Sequence, residues 1–183
     1  RVGYPTPDYT AYQDMLETHL ARLEPVVVPA QQESGWRISP EELGAACDKE
    51  RLDAYLFSNP CNPTGAVIMG EELAGYAEVA REQNLTLLAD EFYSHFIYSP
   101  GEASEYTPGD GPVSLAAYVE DVEGDPIVLF DGLTKCFRYP GWRVGWVVGP
   151  SVMVETMART ASAIDGGPSR VAQRAALEVL EPA

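Results

Sequence analysis

The sequence predicts an α/β fold, a three-layer α/β/α arrangement in which helices cover both faces of a mostly parallel β-sheet. Two observations support this fold class. Short apolar runs typical of buried strands alternate with longer segments of helical periodicity through most of the chain. Polar and charged side chains follow directly after several of these strands. In a parallel sheet those carboxyl ends meet at one edge, where ligands bind.

Each predicted element rests on a local pattern. Apolar runs predict six strands, the last of which we expect to be antiparallel: residues 1–5, 25–29, 53–58, 85–89, 126–130 and 143–148. Apolar residues at helical spacing, or the start signal Ser39-Pro40, predict five helices: residues 10–23, 40–47, 70–83, 151–163 and 169–180. Residues 102–112 are rich in Gly, Pro and Ser and predict a surface loop.

Composition limits the classes of partner. The chain has 183 residues and a formal net charge of −16. Repulsion from phosphates argues against nucleic acid and against anionic membrane surfaces. No apolar run approaches the roughly 18 residues that a membrane-spanning helix requires. Three cysteines without close pairing, Cys47, Cys61 and Cys136, favour a reducing, cytoplasmic location.

A lysine and an arginine lie beside apolar strands in the stretch 131–149. Lys135 follows the apolar run 127–130, and Arg143 stands directly before the apolar run 144–148. Such cations are costly between hydrophobic strands unless an anionic or electrophilic group meets them. A partly apolar site also lowers the pKa of an amine that must lose its proton. Because an arginine fork matches phosphate oxygens, the pair favours a Schiff-base enzyme with a bound phosphate.

Two more polar residues fall at strand ends. Asn62 follows the third predicted strand, Asp90 the fourth and Lys135 the fifth, so all three belong at the same edge of the sheet. Taken singly, each has a simpler interpretation. The Asn-Pro pairs predict a rigid turn, Asp90 a helix cap, Lys135 a surface lysine and Arg143 a structural ion-pair partner.

Four sequence blocks stand in order along the chain: PDYTAY at 7–12, NPCNPTG at 59–65, ADEFY at 89–93 and GLTKCFRYPGWRVGW at 132–146. Together they resemble the fold-type I pyridoxal-phosphate enzymes, in the class I and II aminotransferase branch. The first block is similar to that family's Pro-x-Tyr-x-x-Tyr segment. The resemblance extends over nearly the whole chain. It implies the large domain of such an enzyme, with pyridoxal 5′-phosphate as the cofactor.

The resemblance implies a role for each matching residue. Lys135 matches the lysine that holds the cofactor as a Schiff base and then acts as the proton-transfer base. Asp90 matches the carboxylate paired with the pyridine nitrogen, which keeps the ring protonated and able to accept electrons. Asn62 and Tyr93 match the donors to the cofactor's phenolic oxygen.

The same resemblance assigns the phosphate and ring contacts. Arg143 matches the phosphate clamp, and Tyr9 matches the aromatic residue that stacks on the pyridine ring. Gly141 is expected to permit the tight turn that brings Arg143 towards the phosphate. The chain departs from the family at Gly132, where a serine often contacts the phosphate. Thr134 is a candidate to supply that hydroxyl, and an ordinary strand-end threonine is the alternative.

The resemblance also implies that these residues are the central part of a longer enzyme. We expect residues 1–165 to form the cofactor-binding large domain without its N-terminal part, and residues 166–183 to begin the connection to a small domain. The family's phosphate loop would precede Arg1, and the arginine that grips the substrate carboxylate would follow Ala183. Family members usually dimerise, so a homodimer is implied for the complete protein.

Three functions are compatible with these residues. The first is an aminotransferase that moves an amino group between an amino acid and a 2-oxo acid. The second uses the same cofactor for elimination, cyclisation or oxidation of an amino acid. The third is a non-catalytic α/β ligand-binding module, although neither nucleotide-binding glycine pattern occurs in the sequence.

The remaining histidines and tryptophans are expected to be structural. His95 lies two residues after Tyr93 and is expected in the core or at the rim of the site rather than in catalysis. Because the chain has two histidines and no Cys–His spacing, we expect no metal site. Trp142 and Trp146, on either side of Arg143, are expected in the core.

Overall fold

A computed structural model describes residues 1–18, 23–98 and 112–181. Within these ranges lies a six-stranded sheet with the order β2-β1-β3-β4-β5-β6. The strands are β1 (Val2–Thr6), β2 (Pro25–Pro29), β3 (Ala54–Ser58), β4 (Thr86–Asp90), β5 (Ile127–Gly132) and β6 (Gly145–Val148). β1 to β5 run parallel, and β6 is antiparallel to β5. The prediction of a mostly parallel sheet with an antiparallel last strand is therefore confirmed.

Five helices accompany the strands in the described ranges: α1 (Ala11–Thr18), α2 (Pro40–Glu50), α3 (Gly70–Gln83), α4 (Ser151–Ile164) and α5 (Arg170–Leu180). Short 3₁₀ turns cover Gln32–Ser34, Leu115–Tyr118 and Pro140–Trp142. α2 begins at a capping box, because Glu42 N donates to Ser39 Oγ at 3.2 Å and Ser39 N donates to Glu42 Oε2 at 2.7 Å. None of the helices described is long and apolar enough to cross a membrane.

Several element boundaries differ from the prediction. α2 continues to Glu50 and ends where Arg51 adopts a left-handed conformation (φ 53°). β6 begins at Gly145 rather than at Arg143, because Arg143 has φ 54°, which a strand excludes. Leu23 lies outside α1. Residues 19–22 of the predicted first helix and 102–111 of the predicted loop lie outside the described residues.

One face of the sheet packs against α2 and α3, and the other against α1. Along β3, Tyr55 and Phe57 belong to the first apolar cluster, while Ala54 and Leu56 contact the second. This alternation follows because successive strand residues point to opposite faces. The helices contribute buried side chains to both clusters: Leu43 and Cys47 from α2, Leu73, Tyr76 and Ala77 from α3, and Tyr12 and Leu16 from α1. The three-layer arrangement is confirmed.

A third apolar cluster anchors the loop between β5 and β6. Leu133 and Val144, at the two ends of this loop, pack against Ala172 and Ala176 of α5. Leu133 N also donates to Val144 O at 3.0 Å. The loop that carries Lys135 is therefore held at both ends by buried side chains and by α5.

Close backbone packing at the end of β5 requires glycine at position 132. Gly132 pairs with Gly145 across the antiparallel β5–β6 ladder. A Cβ at Gly132 would lie 2.7 Å from Val144 O and 2.8 Å from Gly145 Cα, which are backbone atoms that cannot move independently. No side chain fits there, so a serine is excluded at this position of the chain.

We predict that Gly132→Ser lowers the free energy of unfolding by about 2–3 kcal/mol, because the new side chain overlaps the β6 backbone. Gly141→Ser is the matched control, since a Cβ at Gly141 would have nothing within 4 Å and exposed substitutions change stability by about 0.5 kcal/mol or less. Urea denaturation measures both. Equal transition midpoints for Gly132→Ser and the unmodified protein would contradict this packing.

A buried carboxylate, Glu91, holds the 3₁₀ turn that begins at Leu115. Ser114 Oγ donates to Glu91 Oε2 at 2.6 Å, and Leu115 N donates to Glu91 Oε1 at 2.7 Å. The residue is only 5% exposed. Burial raises the pKa of Glu91 to about 7, against the lowering effect of these two hydrogen bonds. The folded protein therefore binds a proton at Glu91 more tightly than the unfolded chain does.

This difference predicts a pH-dependent stability. The stabilising contribution of protonated Glu91 is fully present below about pH 4.5 and is lost as the pH rises through about 7. Glu91→Gln has no proton to lose, so its stability should not fall over this range. Its unfolding free energy relative to that of the unmodified protein should therefore rise by about 2–3 kcal/mol between pH 5 and pH 8, in addition to any difference that does not depend on pH. Urea denaturation at several pH values measures the difference. A difference that does not vary with pH would show that Glu91 does not titrate in this way.

Candidate active site

A cavity of about 470 Å³ lies at the carboxyl ends of the parallel strands. Its wall contains all seven residues that were predicted for the site, together with four others. The lining residues are Tyr9, Ser58, Asn62, Asp90, Phe92, Tyr93, Thr134, Lys135, Arg143, Val144 and Gly145. Residues that are more than 130 positions apart in sequence thus share one wall. The expected edge of the sheet is where this cavity is found.

Lys135 lies in the loop after β5, three residues beyond the end of the strand. Its Nζ is 5.4 Å from the centre of the Tyr93 ring, a distance typical of a cation–π contact. The side chain is exposed, whereas the sequence predicted a partly apolar, desolvated site. The reason is that Leu133 takes the buried position after β5, and the chain then turns so that Lys135 faces the open cavity.

Asp90 is the last residue of β4 and pairs in register with Ser58 at the end of β3. Its Oδ2 accepts a hydrogen bond from Tyr12 Oη at 2.6 Å, and its Oδ1 accepts one from Phe92 N at 3.3 Å. These two donors fix both oxygens of the carboxylate. Asp90 is therefore held in place by protein groups while it still lines the cavity.

Tyr12 is a site residue to which the sequence analysis gave no role, although it is the second tyrosine of the Pro-x-Tyr-x-x-Tyr block. Its position fits the helical periodicity of α1, which predicts an apolar core residue. It is indeed 4% exposed, but a buried phenol requires a polar partner, which is here Asp90. Burial, followed by the negative charges of Asp90 and Asp8, raises the pKa of Tyr12 above its ordinary value. The hydroxyl thus stays protonated and donates to Asp90.

The two asparagines of the segment 59–65 have different positions. Asn59 is buried, and its amide group pairs with the backbone of Ile68 through bonds of 2.8 and 2.9 Å. This contact holds the loop, as a rigid turn requires. Asn62 lines the cavity instead. The segment 59–65 ends at Gly65, whose φ of 73° lies in the left-handed region that favours glycine.

Arg143 ends the 3₁₀ turn Pro140–Trp142 and lines the cavity. Its Nη1 donates to Pro140 O at 3.1 Å. Gly141 lies in this tight turn, as expected, but the turn does not require a glycine, because Gly141 has no positive φ and a Cβ there would have nothing within 4 Å. The positive φ angles of this loop are at Arg138 (61°) and at Arg143 itself (54°). The turn is therefore made by non-glycine residues in the left-handed region.

Thr134 lines the cavity, while Gly132 does not. A hydroxyl for a bound anion is thus available two residues nearer to Lys135 than the family's common serine. His95 is exposed and its Nδ1 lies 3.2 Å from Ser94 Oγ, outside the cavity wall. No group of three or more metal-ligating side chains occurs among the residues described.

The two tryptophans differ from each other. Trp146 packs against the cluster of Leu133 and Val144, as predicted. Trp142 is 41% exposed and contacts Tyr139, with ring centres 5.4 Å apart, so its predicted place in the core is wrong. It lies in the exposed 3₁₀ turn, where no apolar layer covers it.

The charges of the cavity fit pyridoxal 5′-phosphate. Among the salt bridges of the described residues, none includes Lys135, Asp90 or Arg143. An amine, a carboxylate held by a phenol, and a guanidinium therefore face one cavity without ion-pair partners. The cofactor offers an aldehyde, a ring nitrogen and a phosphate as complementary groups. Tyr9 is 45% exposed at the same wall and presents an aromatic ring for stacking.

The relatives found by comparison with known proteins are aminotransferases. An aspartate/prephenate aminotransferase of Cereibacter sphaeroides is 32% identical over 177 residues, which are 96% of this chain and 41% of that protein. An aspartate aminotransferase of Streptomyces avermitilis is 35% identical over 151 residues, 82% of this chain and 34% of that protein. The crystal structure of the aspartate aminotransferase from Rhizobium meliloti has a TM-score of 0.83 and 28% identity, and covers 100% of this chain and 42% of that one.

The aspartate aminotransferase of Thermus thermophilus with maleate has a TM-score of 0.81 and 30% identity, and covers 98% of this chain and 42% of that one. The chain thus spans less than half the length of these relatives. The sequence model of the family "Aminotransferase class I and II", whose cofactor is pyridoxal 5′-phosphate, matches residues 1–183. With the parallel sheet and the cavity at its carboxyl edge, this match shows that the chain belongs to the class I and II aminotransferase family.

Proposed function

We propose that this chain is the cofactor-binding part of an aminotransferase that moves an amino group between an amino acid and a 2-oxo acid. The observation that carries the proposal is the presence of Lys135, Asp90 and Arg143 at one cavity, without ion-pair partners among the described residues. Lys135 and Arg143 are solvent-exposed at this wall, so their charged groups are free to bind a ligand that carries an aldehyde and a phosphate.

The bound cofactor supplies an aldehyde that condenses with amines and a protonated ring that accepts electrons from the substrate's α-carbon. Lys135 would hold that aldehyde through Nζ, and the same amine would act as the base that takes the proton from the α-carbon of the substrate. Its exposed position at an open cavity supports this role, because the amine must leave one bond and then reach the substrate.

Asp90 holds the proton on the ring nitrogen. A carboxylate stabilises a neighbouring N–H cation, and Asp90 is available for this because only neutral donors, Tyr12 Oη and Phe92 N, bind it. The phenol of Tyr12 fixes the direction of the carboxylate, so that little reorientation is needed when the ring binds.

The remaining residues bind and orient the ring. Asn62 and Tyr93 donate to the phenolic oxygen, and Tyr9 stacks on the ring face. Arg143 binds the phosphate through its guanidinium, with Thr134 as a hydroxyl donor beside it. All five residues line the cavity that contains Lys135.

The proposal extends to the complete protein. Residues 1–165 belong to the cofactor-binding domain, and residues 166–183 begin the connection to a second domain. The packing of α5 on Leu133 and Val144 supports a connection that begins beside the cavity. The protein acts as a homodimer in the cytoplasm, a location supported by the free thiols of Cys47, Cys61 and Cys136. Elimination and ligand binding without catalysis have no observation in their favour, whereas the named relatives are aminotransferases.

The proposal predicts that the complete protein transfers an amino group from an amino acid to a 2-oxo acid, and that Lys135→Ala lowers the rate by about 10³-fold because it removes the base. Lys49→Ala is the matched control. Lys49 is the other lysine of the sequence, and it pairs with Glu50 on α2. Chromatographic detection of the new amino acid measures the rate. Substrate consumption without any amino group reaching the acceptor would contradict transamination.

We further predict that Tyr12→Phe lowers the turnover number by about 10-fold, because a hydrogen bond to a charged group is worth roughly 1.5–3 kcal/mol. Phenylalanine keeps the edge-to-face contact with Tyr9, whose ring centre is 5.6 Å away. Tyr76→Phe is the control, since its hydroxyl is equally buried but donates to Ile38 O at 2.9 Å. Steady-state kinetics distinguish the two. Equal losses in both variants would assign Tyr12 to stability alone.

A further inference from the structure

A buried carboxylate, Asp8, lies directly behind the wall of the cavity. It is 7% exposed and accepts three hydrogen bonds. Tyr9 N donates to its Oδ1 at 2.6 Å, Ser58 N donates to its Oδ2 at 3.0 Å, and Ser58 Oγ donates to Oδ1. Both donor residues, Tyr9 and Ser58, line the cavity. Asp8 thus joins the segment that leaves β1 to the end of β3.

Ser58 extends this contact to Asn62. The Ser58 hydroxyl donates its proton to Asp8 and accepts a hydrogen bond from Asn62 N at 3.1 Å. Because the Ser58 hydroxyl donates its proton to Asp8, the lone pairs of the Ser58 oxygen point towards the backbone N–H of Asn62. Ser58 is 4% exposed, so water does not compete for these bonds. The carboxylate therefore sets the position of Asn62 through one hydroxyl.

Asp8 forms no salt bridge in the part of the chain that the structure describes. The titratable groups around it are Tyr12 on α1, Tyr55 on β3, Tyr76 on α3, Cys61 after β3 and Asp90 on β4. Asp8 and Arg37 line a second, small cavity next to the active-site cavity, but the Arg37 guanidinium pairs with Glu72 at 3.6 Å. The ionised carboxylate is therefore stabilised by N–H and O–H donors alone.

We propose that Asp8 is a positioning residue, which in its ionised form holds Tyr9 and Asn62 at the spacing that the cofactor ring requires. The inference rests on the proposed function, since these two residues contact the ring only if the cavity binds pyridoxal 5′-phosphate. Ionisation matters because three donors share the two carboxylate oxygens of Asp8. A proton on either oxygen would leave at least one of these donors without an acceptor. A hydrogen-bonded partner behind a binding residue typically changes affinity by about 10–100-fold when it is removed.

The ionisation of Asp8 falls in an accessible range of pH. Burial raises the pKa of Asp8 to about 6, against the lowering effect of the Ser58 and Tyr9 hydrogen bonds, and Asp90 adds to the increase. The carboxylate is thus charged at pH 8 and protonated at pH 5 in the folded protein. Asp8→Asn stays neutral and directs an amide N–H₂ group at one of the donors at every pH.

The experiment measures the dissociation constant of pyridoxal 5′-phosphate in the complete protein by absorbance titration between pH 5 and pH 8. Asp8→Asn should weaken binding about 10-fold at pH 8 and leave it equal to that of the unmodified protein at pH 5. Ser58→Ala should show a similar loss at pH 8, and the double variant should add little to either. Glu91→Gln is the matched control, because it neutralises a similarly buried carboxylate that also binds a serine, and its affinity should not change.

The unfolding midpoint of each variant in urea confirms that it is folded, and hydrogen exchange of the Asn62 amide is the second readout. Faster exchange in Asp8→Asn than in Glu91→Gln supports the inference. Equal affinities of Asp8→Asn and the unmodified protein at pH 8, or a loss that is the same at pH 5 and pH 8, overturn it. If the unmodified protein does not bind the cofactor at all, the proposed function fails. Asp8 is then structural only, whatever the exchange rates.

Discussion

The parallel pairing of β3, β4 and β5 is the constraint on which the site depends. In this register Ser58 lies beside Asp90, and Asp90 beside Phe130, so that the loops after three strands leave the sheet at one edge. At the carboxyl ends of parallel strands, the connecting loops carry the polar side chains that bind ligands. The cavity and its charges are consequences of this alignment.

A second layer of contacts lies behind the cavity wall and comes from residues 8–12, which include the end of the β1–α1 connection and the first turn of α1. Asp8 binds Ser58 at the end of β3, and Tyr12 binds Asp90 at the end of β4. Tyr9, between them in sequence, faces the cavity. One segment thus orders two neighbouring strand ends. The side chains of Asp8 and Tyr12 are buried and hydrogen-bonded, which is the condition under which polar groups add rigidity.

Much of this arrangement could be predicted from the sequence, because strand ends are read from local patterns. Asp90 ends an apolar strand, and Asn62 and Lys135 follow the ends of their strands by four and three residues, so the parallel topology brings the three together. Tyr12 and Ser58 could not be found in that way. The partner of Tyr12 is 78 residues away, and no local pattern reports a hydrogen bond across strands. The exposure of Lys135 and the left-handed backbone of Arg143 were also missed, since both depend on how the loop 133–144 folds back on β5.

The central claim is that Lys135 is the amine that binds the cofactor covalently. Borohydride reduction of the complete protein with pyridoxal 5′-phosphate, followed by peptide mapping with mass spectrometry, tests it most directly. Lys49 is the second lysine of this chain and serves as the internal comparison, and the same digest covers the lysines in the rest of the complete protein. The account predicts a reduced cofactor adduct on the peptide that contains Lys135 and none on the peptide that contains Lys49. An adduct located elsewhere, with Lys135 unmodified, would contradict it.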